Sequence, residues 1–238
     1  DLAIGKQLSL TQAFQVPHGL KLEMIGTGDG GRTLNISDNL TLSGTLQFSA
    51  PNYTVQNGTL ELSRGLLDVD KNTIIASNIL LSDDSTVDIA QGVDLQYQGL
   101  SMYINEYQLT FLGSGTFSNS NSIVLSHPNS LLIFAGDITI AFIEVTGNSA
   151  AGKGIRVESA NASVTNLNLL ADMGLTFSDD AYELNVENLN VNSPAQLTGD
   201  GNGGWLKVQV LGQNTASDVL TMHDINVSVE DEIDIDFE

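Results

Sequence analysis

Leu40-Thr-Leu-Ser-Gly-Thr-Leu-Gln-Phe48 contains two apolar-x-apolar triplets, separated by a short polar turn that opens with Ser. Within each triplet, alternate side chains point to one face, which is the pattern of a short half-buried β-strand. This two-arm cassette returns at residues 60–69, 79–89, 123–134 and 175–186. A recurring pair of short strands indicates a fold that is built from repeats.

The spacing of the cassettes is that of a solenoid. The first arm ends at Leu42, Leu62 and Leu81, so that neighbours are 20 and 19 residues apart. It ends again at Leu125 and Phe177, after gaps of 44 and 52 residues that hold two or three further coils. One coil of short strands cannot bury its own apolar face, whereas stacked coils share a continuous core.

These observations predict an all-β chain that forms one right-handed parallel β-helix of about ten coils. At about 4.8 Å between stacked strands, the rod would be roughly 50 Å long. We expect Leu62, Leu81 and Leu125 to lie in one interior file because they share a cassette position. The 23 Gly residues and the many Asn, Ser, Thr and Asp residues supply the frequent turns that such coils need.

We expect a single domain over residues 1–238, in which residues 1–38 form the N-terminal capping coils, 39–198 the repeat coils and 199–238 a C-terminal coil with an acidic cap strand. Strict alternation in residues 225–229 and 233–237 predicts strands there. Charged side chains on a terminal strand discourage edge-to-edge pairing. The Gly/Ala-rich residues 147–154 suggest a break between two halves of the rod.

Charge and composition restrict the partners. The formal net charge is −21, from 29 acidic and 8 basic residues, which disfavours nucleic acid, anionic membranes and acidic polysaccharides. The chain has no cysteine and no apolar run of the roughly 18 residues that a membrane span needs. It opens at Asp1 without an initiator Met or a signal sequence, so we expect a mature or excised chain. The lack of cysteine and the composition rich in Asn, Thr, Ser and Gly favour an extracellular or cell-surface location.

The run from Phe14 to Gly28, with its Val-Pro-x-Gly-Leu-x-Leu segment and Gly-rich turn, resembles the first coil of pectin-lyase-like right-handed β-helices. The later cassettes agree with this family, in particular with its bacterial surface or adhesin type. The resemblance implies that a hydrolase would combine an Asp-Asp pair with Gly-His-Gly and Arg-x-Lys motifs. It implies that a lyase would use calcium with Arg or Lys to bind an anionic sugar.

The catalytic candidates of the sequence are two Ser-Asp-Asp turns, which contain Asp83, Asp84, Asp179 and Asp180. Asp in this context is expected for turn hydrogen bonding alone. The chain has no Gly-His-Gly, and the segment around Arg156 lacks the Lys. We therefore interpret all four as turn carboxylates.

The remaining candidate residues do not cluster in the sequence. They are three arginines (Arg32, Arg64, Arg156), three histidines (His18, His127, His223) and a Gly-rich loop with Asp200 and Asn202, which we interpret as a turn rather than a calcium site. Four tyrosines could form an aromatic row for a glycan, although packing is the preferred interpretation of each: Tyr53, Tyr97, Tyr103 and Tyr107. We predict no catalytic, metal-binding or cofactor-binding residues.

The sequence favours a non-catalytic structural or recognition segment of a secreted or cell-surface protein, an adhesin-like stalk. Its partners would be a glycan or a cell-surface ligand, together with flanking domains of a larger protein. The alternatives are a polysaccharide lyase or hydrolase with its site in a groove on the rod, and a phage tail-fibre module. Fold class alone does not choose between these functions.

Overall fold

The computed structural model describes residues 5–147, 154–179, 181–191, 197–199, 205–210 and 234–237. These residues form β-strands and turns and contain no helix, and every strand pair is parallel. The strands recur in the same order from one coil of the solenoid to the next. The first coil contains β1 (Gln7–Leu10), β2 (Phe14–Val16) and β3 (Lys21–Met24).

The next coils keep this three-strand pattern. Their strands are β4 (Arg32–Ile36), β5 (Asn39–Leu42), β6 (Thr45–Phe48), β7 (Tyr53–Gln56), β8 (Thr59–Leu62), β9 (Leu66–Val69), β10 (Thr73–Ile75), β11 (Asn78–Leu81), β12 (Ser85–Ile89), β13 (Asp94–Tyr97), β14 (Met102–Tyr103), β15 (Gln108–Gly113), β16 (Thr116–Asn119), β17 (Ile123–Leu125) and β18 (Leu131–Phe134). From residue 139 onward, longer strands replace the first two strands of each coil. The later strands are β19 (Thr139–Val145), β20 (Gly154–Val157), β21 (Ala162–Leu169), β22 (Met173–Phe177), β23 (Glu183–Val191), β24 (Leu197–Gly199), β25 (Trp205–Val210) and β26 (Asp234–Phe237).

Three sheets run along the solenoid. Sheet A has the order β1-β4-β7-β10-β13-β16-β19-β21-β23-β25-β26, sheet B has β2-β5-β8-β11, and sheet C runs from β3 to β24. The short strands β14 and β17 continue the side of sheet B and join sheet A through β19. The stack has about eight turns, compared with the roughly ten that we expected. The predicted all-β parallel solenoid is thus confirmed.

The three leucines of the predicted interior file are all buried, as expected. Leu62 pairs in register with Leu81, and their exposed fractions are 0% and 1%. Leu125 lies further along the same side, pairs with Val145 and is 1% exposed. The core that these residues share extends over all the coils from Val16 to Leu189.

Backbone hydrogen bonds join the turn of each cassette to the preceding coil. The backbone N–H groups of Ser43, Ser63 and Ser82 donate to the carbonyl oxygens of Val16, Leu42 and Leu62, each at 2.9 Å. Each turn is therefore hydrogen-bonded to the strand end of the preceding coil. Gly44 is tightly enclosed here, because a Cβ atom at this position would lie 2.2 Å from the carbonyl oxygens of Pro17 and Leu20.

The alignment of the fifth cassette is wrong. Phe177 lies at the end of β22 in sheet C and pairs with Val157, whereas the first four cassettes cross from the sheet B side to sheet C. The position equivalent to Leu125 is instead Leu169, reached through Val145. The long strands β19, β21 and β23 cross two sides of the solenoid without a polar turn, so that the cassette signal disappears there.

The predictions for the C-terminal residues are only partly covered by the structure. The strand predicted at residues 233–237 is present as β26, which pairs with β25. The strand predicted at 225–229 and the loop with Asp200 and Asn202 lie outside the described residues, as do residues 148–153 of the predicted break.

Candidate functional site

The first candidate site is a groove on the outer surface of sheet A, with a volume of about 330 Å³. It crosses four successive coils, from Gly31 before β4 to the starts of β7, β10 and β13. Thr54, Ile74 and Gln96 lie in register on these strands, so that the parallel ladder fixes their spacing. The groove is thus built on paired strands rather than on a loop.

Amide side chains form one wall of the groove. The backbone N–H of Asn52 donates to the carbonyl oxygen of Asn72, and Asn72 Oδ1 accepts from the backbone N–H of Asp94, both at 2.9 Å. Gln96 Nε2 donates to Asp94 Oδ2 at 3.0 Å. Asn52 has a left-handed backbone with φ of 59°, a conformation that Asn tolerates well. Hydrogen bonds therefore hold this wall in place.

The chemistry of the groove is mostly neutral. Asp94 is the charged residue among those that line it, and the others supply amide, hydroxyl and backbone groups around Ile74. Such groups donate and accept hydrogen bonds without requiring a charged partner. Together with the apolar surface of Ile74, this arrangement suits a neutral ligand rich in hydroxyl groups.

A buried arginine supports one end of the groove, and its burial was not predicted from the sequence. Arg32 is 1% exposed. Its guanidinium donates to the carbonyl oxygens of Gly30, Pro51, Thr27 and Gly28 at 2.6 to 3.0 Å. It also lies 5.8 Å from the centroid of the Tyr53 ring. Arg32 thereby fixes the Gly-rich turn that leads to Gly31 of the groove.

A second candidate site is an acidic row on the outer surface of sheet C. Asp68 and Asp88 are in register on β9 and β12. Partial burial raises the pKa of Asp68, and the negative charges of Asp70 and Asp88 raise it further. The pKa of Asp88 is raised for the same reasons, by partial burial first and by the charge of Asp70 second. Glu23 and Lys21 lie in the same sheet, where Lys21 Nζ donates to Gln47 Oε1 at 2.7 Å. The sequence interpretation missed this row because its members belong to three different coils.

The predicted turn carboxylates make turn contacts. Asp83 accepts from Arg64 Nε at 2.7 Å and from the backbone N–H of Asp84, while Asp84 accepts from the backbone N–H of Gln108 at 2.8 Å. Asp179 accepts from the backbone N–H of Ala181 at 2.9 Å. Asp180 lies outside the described residues. Asp83 and Asp179 stand at different corners, after strands of the sheet B side and of sheet C.

The other sequence candidates lie apart from one another. Arg32 is in β4, Arg64 is in the turn after β8, and Arg156 is in β20, where it forms a 2.7 Å ion pair with Glu158. His127 Nδ1 accepts from the backbone N–H of Asn129, His18 lies in the turn after β2, and His223 is outside the described residues. Within the described ranges, no group of three or more His, Asp or Glu side chains is placed to bind a metal ion.

The four tyrosines do not form an exposed row. Tyr53 and Tyr97 are core residues, with exposed fractions of 0% and 1%, so that the packing interpretation is confirmed for both. Tyr107 is partly buried against the core, and Tyr103 is exposed. The tyrosines therefore did not point to the groove, whose lining residues precede or begin strands.

Comparison with protein-family models, with curated proteins and with solved structures gave no match. The assignment to the parallel β-solenoids rests on the sheet topology above. The part of the chain that the structure describes holds no helix with the length and hydropathy needed to cross a lipid bilayer.

Proposed function

We propose that this chain is a non-catalytic structural and recognition segment of a secreted or cell-surface protein, an adhesin-like stalk whose groove on sheet A binds a neutral glycan. The observation that carries the proposal is a groove across four coils, lined by amide and hydroxyl side chains, in which hydrogen bonds fix Asn72, Asp94 and Gln96. Polar groups held in fixed positions are what orients a small ligand and gives a binding site its specificity.

The stalk role is supported by how the coils are joined. The carboxylates of the Asp83-Asp84 turn bind Arg64 and the backbone of Gln108, which belong to the preceding and following parts of the stack. A continuous interior core connects the coils along the axis. Such a stack holds its outer side chains at fixed spacing.

Binding to an array of neutral and uronate oligosaccharides tests this proposal. We expect neutral oligosaccharides to bind the wild type, and Gln96→Ala to weaken that binding because Gln96 lies in the groove. Ser118→Ala is the matched control, since Ser118 is the next residue of the same register row but lies outside the groove lining. Equal loss in both variants, or no binding by the wild type, would remove the recognition role.

One observation favours a second candidate function, a polysaccharide hydrolase. Asp68 and Asp88 occupy neighbouring strands in register, and stacked strands lie about 4.8 Å apart, close to the roughly 5 Å between the carboxyl groups of retaining glycosidases. A reducing-sugar assay on a polysaccharide panel tests this candidate. The hydrolase would be favoured over the stalk if the wild type cleaved a polysaccharide and Asp68→Asn or Asp88→Asn abolished this cleavage without lowering the melting temperature.

A further inference from the structure

The outer face of sheet A continues beyond the groove as a hydroxyl row, formed by Thr116, Thr139 and Ser163. Asp94, which lines the groove, pairs in register with Thr116 of β16. Thr116 pairs with Thr139 of β19, and Thr139 pairs with Ser163 of β21. All three side chains are partly exposed and alternate with buried neighbours, so that they point outward. The strand ladder thus places one hydroxyl group on each of three successive coils beyond the groove.

The hydroxyl groups of this row are available to a ligand. Within the described residues, no protein group forms a hydrogen bond with any of the three hydroxyl oxygens, and none of these oxygens is buried. Outward threonines of the other sheets are engaged by the protein itself. Thr41 donates to Glu61 Oε2 at 3.0 Å in sheet B, and Thr110 accepts from Gln108 Nε2 at 3.3 Å in sheet C. Because a free hydroxyl group both donates and accepts hydrogen bonds, the row can bind another molecule rich in hydroxyl groups.

The outer face of sheet A carries little charge, although the net charge of the chain is −21. In the described strands from β4 to β21, Asp94 is the one charged side chain at an outward position, counted up to Ala141 in β19 and Thr165 in β21. Sheet C, by contrast, presents Asp68 and Asp88 in register. A neutral ligand therefore meets no charge repulsion along sheet A, and a charged ligand gains no attraction there.

The shape of this face favours an extended ligand. The strands β4, β7, β10, β13, β16, β19 and β21 follow one another in sheet A, so that at about 4.8 Å per coil they span about 29 Å along the axis. The four coils of the groove cover about 14 Å of this length, and a strand of four residues is only about 13 Å across. A ligand that uses both the groove and the hydroxyl row must therefore lie along the solenoid axis and be about twice as long as the groove.

We propose that the ligand of the groove is a long, linear, neutral polysaccharide that runs along the solenoid axis and is also bound by the hydroxyl row. This inference rests on the proposed function, and adds that chain length determines affinity. A chain of repeating sugars presents hydroxyl groups at intervals, as the stacked coils do. Each hydrogen bond with the row contributes little alone, but the contacts add up on one chain that is already held in the groove.

Isothermal titration calorimetry with cello-, manno- and chito-oligosaccharides, each from the disaccharide to the octasaccharide, tests this proposal. In the series that binds, we expect the octasaccharide to bind the wild type at least about tenfold more tightly than the trisaccharide, because only the longer chain reaches the hydroxyl row. The trisaccharide is short enough to occupy the groove alone. The two ligands therefore report separately on the groove and on the hydroxyl row.

The double variant Thr116→Val/Thr139→Val removes two hydroxyl groups of the row, and valine is as well suited to a strand as threonine. It should reduce the gain with chain length to about threefold or less and leave trisaccharide binding unchanged. Thr86→Val/Thr110→Val is the matched control, because these outward threonines are also in register on neighbouring strands, but in sheet C. It should bind both ligands as the wild type does. Ser163→Ala is an independent variant for the case in which the first double variant fails to fold, and it should weaken octasaccharide binding alone.

The possible results separate this inference from the proposed function. If the trisaccharide binds and the octasaccharide binds no more tightly, the groove recognises a short glycan and the long-chain ligand is ruled out. A gain with chain length that persists in both Thr116→Val/Thr139→Val and Ser163→Ala also overturns the proposal, since the added contacts then lie elsewhere. If the wild type binds neither ligand, the recognition role fails together with this inference.

Discussion

Individual residues of this chain follow the period-two pattern closely, which is why their burial was predictable. Leu62 and Leu81 lie inward, whereas Glu61, between the inward Leu60 and Leu62, lies on the outer face. Arg32 is the exception, because a charged residue at an inward position is not expected from the pattern. Its burial depends on carbonyl oxygens of two separate turns, which no local sequence pattern reveals.

At the level of single residues, truncation of an interior leucine is expected to destabilise the fold. Leu62→Ala, Leu81→Ala and Leu125→Ala should each lower the free energy of unfolding by about 2 to 5 kcal/mol, since each removes a fully buried side chain and leaves a cavity. Urea denaturation measures this change. Leu170→Ala, at an exposed position, serves as the control and should change it little.

The turn carboxylates are expected to tolerate an amide. Asp84→Asn keeps an Oδ1 acceptor for the backbone N–H of Gln108, so that the melting temperature should stay close to that of the wild type. Asp84→Ala removes this acceptor and should lower the melting temperature further. If Asp84→Asn were as damaging as Asp84→Ala, the charge rather than the hydrogen bond would be the important property.

The elements differ in how well the sequence foretold them. The short strands of the first coils end at polar turns, and these turns made their cassettes visible. The long strands β19, β21 and β23 have no such turn. Without this signal, the sequence alignment placed Phe177 at the cassette position that Leu169 occupies in the structure. The groove on sheet A was missed because its residues come from four coils, and only the register of the strands brings them together.

The side of sheet B is interrupted between β11 and β14, and Tyr97 bridges the gap. Its hydroxyl accepts from the backbone N–H of Ile79 at 3.1 Å and donates to the carbonyl oxygen of Leu100 at 2.6 Å. Tyr97→Phe leaves both groups without this partner, so the free energy of unfolding should fall by about 1 to 3 kcal/mol. Tyr103→Phe, at an exposed position, should leave it unchanged in the same denaturation experiment.

The outer row of sheet C should make stability depend on pH. Burial raises the pKa of Asp68, with Asp70 and Asp88 adding to the effect. The stability linked to its protonated form is fully present below the unfolded value of about 3.9 and is lost as the pH rises through the folded pKa. Asp68→Asn cannot ionise, so its melting temperature should exceed that of the wild type at pH 7, and this difference should vanish at low pH.

Glu61 provides the opposite case in the same pH series. Hydrogen bonds from Ser82, Asn39 and Thr41 lower its pKa despite partial burial. Its contribution is present above the unfolded pKa and is lost as the pH falls through the folded value. Glu61→Gln should therefore lower the melting temperature at pH 7. A Glu61→Gln variant that was more stable than the wild type at pH 7 would show that these hydrogen bonds do not favour the carboxylate.

For the whole molecule, the net charge of −21 and the stacking of the coils both affect which ligands the surface can bind. About eight turns at about 4.8 Å give a rod of roughly 40 Å along the axis. Its acidic charge opposes anionic ligands along most of this length, while the groove on sheet A offers neutral hydrogen-bonding groups. The choice between neutral and anionic partners therefore tests the charge and the groove at the same time.

We expect neutral oligosaccharides to bind with little dependence on salt, and uronate oligosaccharides to bind poorly at low ionic strength. Added salt should leave uronate binding unchanged or strengthen it, because screening removes repulsion and there is little attraction to weaken. Calorimetric titration at two ionic strengths measures both ligands on the same protein. Tight uronate binding that salt weakens would instead require a basic surface, and would place the binding site outside the groove on sheet A.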